Sequence, residues 1–167
     1  MEYLVVCHNG KIHESVFITE AEPYHIHLAM LFLGAKIAPP APPEQRVTEK
    51  EMPGELITIW VTWQAQEAEA RRARGESLIL HAATRQPMSE GPWTYNGSWV
   101  FEGTFLAQRE RSIVAIFTDY DALANNPRPG RDNDELWLAN KDKIPSPGTK
   151  VTMTFALPPL ENESKTK

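Results

Sequence analysis

The chain has 167 residues, 41% of them apolar and 23% charged, so it can bury a core without cross-links but has no room for a second ordinary domain. Its 17 Lys and Arg against 22 Asp and Glu leave a net charge of −5, which works against non-specific attachment to nucleic acid phosphates or anionic lipid. One cysteine, Cys7, supplies neither an internal disulfide nor a Cys-based zinc site, and the apolar run Leu28 to Ala35 is far shorter than the roughly 20 residues that cross a bilayer.

The first residues, Met1 to Val6, carry no basic n-region and no small-residue cleavage site, which makes cytoplasmic residence the default expectation. Residues 3 to 8 and 11 to 18 are rich in β-branched and aromatic types and flank Asn9-Gly10, a strong hairpin signal because both turn residues tolerate positive φ. A two-residue loop would pair His8 with Lys11 and Val6 with His13. Leu4, Val6, His13, Ser15 and Phe17 would then share one face, and Glu14 would lie on the other among Val5, Cys7, Ile12 and Val16. A carboxylate there is costly without a donor, so Glu14 is expected to be the most consequential polar residue of the hairpin, paired with His25 or His27.

Thr19-Glu20-Ala21-Glu22 has the form of a capping box, Pro23 suits a first turn and Gly34 a helix end, which predicts a helix over about 21 to 33. Its apolar residues populate nearly the whole circumference, so it is expected to be largely buried. Ile37 to Pro53 holds five prolines and reads as an extended, mobile loop. Alternation predicts a long strand over Glu55 to Trp63, followed by a helical turn or charged hairpin tip over Gln64 to Arg74, where Glu67 and Arg71 stand at i,i+4 spacing. A second hairpin is expected from Ser98–Leu106 and Ser112–Thr118 around Gln108 to Arg111. A capped helical turn is expected near Asp121 to Asn125, and the last strands at Glu135–Ala139 and Lys150–Leu157. These elements predict one α+β domain over residues 1–160, with a disordered polar tail over 161–167. Its mainly antiparallel sheet curls toward a partial barrel, with one well-formed buried helix and one or two short helical turns.

The ordered set Lys11-Ile-His-Glu-Ser15, Pro23-x-x-Ile-His27 with Leu31-Phe-Leu-Gly34, Trp99-Val-Phe with Gly103, and Ala115-Ile-Phe-Thr-Asp-Tyr-Asp-Ala-Leu123 resembles the YdjY-domain family of bacteria over roughly residues 3 to 155. The resemblance implies an exported or cell-envelope domain, hence a periplasmic or exported location, and brings no catalytic residue with it. The charged segment Glu67 to Arg74 departs from the family pattern.

The candidate site residues are His13, Glu14, Ser15 and His27. In a strand His13 and Ser15 act from one face, and a serine nucleophile needs a base that a third group orients. His25 and His27 are about 200° apart on a helix and cannot chelate one ion together. Of the tryptophans, Trp93 and Trp137 are the expected exposed pair and Trp99 the expected core residue. No cofactor or metal is called for. The leading expectation is a non-enzymatic module binding an unknown ligand or protein partner, without nucleic acid or a membrane span. The alternative is a hydrolase or metal-dependent enzyme using His13, Glu14 and His27.

Overall fold

The structure, a computed structural model, describes residues 1–38, 52–64 and 69–159. Most of the proline-rich loop, the Glu67 half of the Glu67–Arg71 pair and the C-terminal tail lie outside the described residues.

The first strand, β1 (Tyr3–Cys7), is buried at every residue. The second, β2 (Ser15–Thr19), pairs with it in parallel, with Tyr3 opposite Ser15 and Cys7 opposite Thr19. This corrects the expected hairpin. Asn9 takes φ +70°, but Gly10 does not follow it into the left-handed region, as a two-residue turn of that kind requires. Gly10 instead packs where a Cβ would stand 2.9 Å from the Arg111 Cβ and 3.0 Å from the Cys7 carbonyl oxygen. The chain then coils through a 3-10 turn, Ile12–Glu14, and re-enters the sheet beside the start of β1. His13 and Glu14 therefore lie on this turn and not within a strand.

The helix α1 (Pro23–Phe32) ends in a Schellman arrangement. Gly34 at φ +87° donates to the Leu31 carbonyl and Ala35 to that of Met30, which satisfies carbonyls the helix leaves free. At the other end Thr19 Oγ1 accepts from the Ala21 N–H, and Glu22, at the cap position, makes no side-chain bond to the helix. The prediction that α1 is largely buried is corrected. Only Pro23 and Met30 are buried, while Phe32 is 88% and Leu33 64% exposed. A helix apolar all round offers two flanks, and the sheet covers one.

The long strand falls where alternation put it: β3 (Glu55–Trp63) buries Ile57, Ile59, Val61 and Trp63. It pairs antiparallel with β4 (Arg71–Arg74), which selects the hairpin reading for that segment. After a 3-10 turn (Gly75–Leu78) come β5 (Ile79–His81) and β6 (Trp93–Tyr95). The second predicted hairpin is also corrected. Its turn is tighter, between β7 (Val100–Phe101) and β8 (Thr104–Phe105), with Glu102 and Gly103 both at positive φ. The expected polar tip lies largely on a helix, α2 (Leu106–Glu110), which leads into β9 (Ser112–Ala115). Asp119 accepts from the Asp121 N–H as expected of a cap, but the chain then enters β10 (Ala124–Asn125) and forms no helical turn there. The last strands are β11 (Trp137–Ala139) and β12 (Val151–Ala156).

The main sheet runs β12-β3-β6-β10-β9-β1-β2, with β4 on β3. It is mixed, because β1–β2 and β9–β10 are parallel while the other pairs are antiparallel. The sheet curls into a half-barrel, so both outer strands, β2 and β12, line one cavity of about 440 Å³ with α1. The helix thus stands in the gap that closure of the barrel would have filled.

The tryptophan expectation is reversed. Trp93 is fully buried between β3 and β10, and Trp137 is also buried, while Trp99 is only half-buried. A fully buried indole needs an acceptor, and the buried Glu76 supplies it: Oε2 accepts from Trp93 Nε1 at 3.1 Å, and Oε1 from Arg74 Nε at 2.7 Å and the Gly91 N–H at 3.2 Å.

Candidate functional site

The flank of α1 that the sheet leaves uncovered faces the segment 97–105, and between them lies an open groove of about 590 Å³. The local sequence builds its far wall. After β6 the chain turns through Gly97 and Ser98, both in left-handed backbone at φ +79° and +58°. Ser98 Oγ then donates to the Asp121 carbonyl at 2.7 Å and accepts from the Ala107 N–H at 3.0 Å. Trp99 Nε1 donates to Asp121 Oδ1 at 2.7 Å, so the indole is oriented by its polar edge while its body contributes to the wall. Tyr24, Leu28, Leu31, Ile37 and Phe105 make the groove predominantly apolar.

His27 interrupts that lining. His27 Nδ1 meets the Tyr95 hydroxyl at 2.7 Å, and the His27 ring lies 5.0 Å from that of Phe105. Burial pushes the His27 pKa down and the Tyr95 pKa up. Both shifts favour the neutral form at pH 7, so His27 and Tyr95 form an uncharged hydrogen-bonding pair at the groove.

The other site residues expected from sequence are elsewhere. His13 Nε2 lies 3.2 Å from Glu14 Oε1, with the His13 side chain 75% exposed. Glu14 pairs with its chain neighbour and with neither His25 nor His27, because the 3-10 turn takes it off the face where α1 packs. Ser15 Oγ donates to the Phe17 carbonyl at 2.7 Å, a bond that holds the strand edge. Among the described residues, the His, Cys, Asp and Glu group whose ligand atoms all lie within 4.8 Å of one another is Cys7, His8 and Glu22. Sequence reasoning passed over this trio: Cys7 and His8 are adjacent, but nothing in the spacing of Glu22 points back to them.

A family model for the YdjY domain matches residues 1–156. The chain belongs to the YdjY-domain family. No curated protein and no solved structure matches it. The match spans both walls of the groove, so in this YdjY domain the α1 flank and the 97–105 segment belong to the family unit.

Proposed function

We propose that this YdjY domain is a non-enzymatic binding module that receives an apolar group of a ligand or protein partner in the groove between α1 and residues 97–105. The observation that carries the reading is the concentration of exposed apolar surface around one neutral polar pair. Tyr24, Leu31, Ile37 and Val100 are all exposed and line the groove together with His27, whose ring bonds the buried Tyr95 hydroxyl. Contiguous apolar surface of this kind marks interaction sites, and a mostly apolar cleft with few oriented polar groups is the usual form of a ligand pocket. His27 is kept neutral and bound by a phenol whose own proton is held more tightly than usual, which suits recognition through a hydrogen bond better than proton transfer. An exported or envelope location belongs to the same proposal and rests on the family.

The test is fluorescence titration with an environment-sensitive apolar dye, anilinonaphthalene sulfonate, comparing the wild type with Leu31→Glu. Leu31 is exposed, so the substitution leaves the fold intact. Dye binding weakened about tenfold or more supports the groove, and equal binding by both proteins overturns it.

A further inference from the structure

We propose that Cys7, His8 and Glu22 form a binding site for one divalent ion of the zinc type, with its fourth position open to solvent. The three side chains come from different places in the fold. Cys7 ends β1, His8 begins the turn after it, and Glu22 stands at the head of α1. Consecutive residues within a strand diverge, but the chain leaves the strand after Cys7, and the His8 ring folds back until Nδ1 is 3.5 Å from Cys7 Sγ. A tetrahedral ion with legs of about 2.3 Å to sulfur and about 2.05 Å to nitrogen places those two atoms about 3.5 Å apart. The pair is thus already at its coordinating separation, and a Glu22 oxygen completes a trio whose atoms lie within 4.8 Å of one another.

The surrounding bonds hold each ligand in place. The Cys7 N–H donates to the Arg111 carbonyl at 2.9 Å, and the His8 N–H to the Thr19 carbonyl at 2.8 Å. Glu22 makes no bond to its own helix. Its Oε2 accepts instead from Gln108 Nε2 and Arg111 Nη1, and Gln108 Oε1 in turn accepts from the Tyr24 N–H at 3.1 Å. Outer bonds of this kind orient metal-binding carboxylates.

The donor set selects the ion. One soft thiolate, one imidazole and one carboxylate suit zinc or cobalt, whereas magnesium and calcium prefer oxygen throughout. Three protein ligands with a fourth place for water is the open form of such sites. The exposed His8 leaves that place reachable from solvent.

The experiment is a titration of reduced, tag-free full-length protein with cobalt(II), read by visible absorption and by the near-ultraviolet thiolate-to-cobalt charge-transfer band. The expected result is one ion per chain, a tetrahedral visible spectrum and a charge-transfer band that zinc abolishes by displacement. Cys7→Ser should lose the band, and His8→Ala and Glu22→Gln should each weaken binding about tenfold or more. Cys7 is buried, so loss of the band in its variant could reflect misfolding, and the exposed His8→Ala decides independently. Binding of His8→Ala equal to wild type, or no stoichiometric binding by the wild type, overturns the site.

Discussion

His27 on α1, which lines the apolar groove, meets the buried Tyr95 on β6, Nδ1 to hydroxyl at 2.7 Å, with their rings 24° from parallel. The pair ties the helix that fills the half-barrel gap to the middle of the sheet, so fold and groove share one hydrogen bond. Tyr95→Phe removes the hydroxyl and leaves a partly buried imidazole nitrogen without its partner. The expected loss is about 1–2 kcal/mol, read as a lower denaturant midpoint at unchanged slope.

The same pair makes stability depend on pH. Burial holds the His27 pKa below its ordinary 6.5, so as pH falls the unfolded chain takes up this proton first. The contribution is complete above about pH 6.5 and is lost as pH falls through the folded pKa. Denaturant midpoints of wild type and His27→Gln from about pH 7.5 to about pH 5 should therefore show the steeper acid-side decline in the wild type. Parallel curves would mean that His27 makes no such contribution.

Glu14→Gln is expected to change stability by no more than about 0.5 kcal/mol. Among the described residues its ion-pair partner is the exposed ring of His13, and such pairs return little. Burial and then the Glu14 charge raise the pKa of Glu2, so removing that charge relieves a repulsion. A clear fall in the melting midpoint would contradict this placement of Glu14.

Glu76 is the carboxylate on which stability turns. Gln in its place keeps the shape but sets an amide N–H₂ against one of the donors from Arg74, Gly91 or Trp93, and removes the carboxylate that Arg74 and the buried Arg128 face, leaving Arg74 the exposed Glu90 at 3.7 Å. Breaking a buried pair from one side costs about 3–5 kcal/mol, so Glu76→Gln should show the largest midpoint shift of the variants discussed, alongside a change in Trp93 fluorescence.

Gly97→Ala tests the groove wall. At φ +79°, a new Cβ would stand 2.5 Å from Ile37 Cγ2 and 3.2 Å from His27 Cε1. Left-handed backbone alone costs a residue with a side chain about 1–2 kcal/mol, and the methyl intrudes on the groove. Both a lower midpoint and weaker dye binding are expected, and a variant with wild-type values for both would refute this account of the turn.

Local signals settled what local physics controls. The alternation of β3, the Schellman end at Gly34 and the later strands were legible because each depends on side-chain period or on a glycine a few residues away. His27 entered the reading of the sequence as a partner for His13 or Glu14, but the fold pairs those two with each other and His27 with Tyr95. The partner of each element was not legible. Asn9-Gly10 favours a hairpin, but β1 gains neighbours on both edges when β9 pairs with it antiparallel and β2 in parallel, and Gly10 serves the close approach of Arg111. The apolar circumference of α1 was plain in the sequence, yet only the curl of the sheet decided that one flank closes the half-barrel and the other lines a groove. Cys7, His8 and Glu22 converge because the end of β1, the head of α1 and the end of α2 meet at the same corner. Sequence periodicity reports which residues share a face within an element. Long-range pairing decides which faces meet, and no spacing along the chain encodes it.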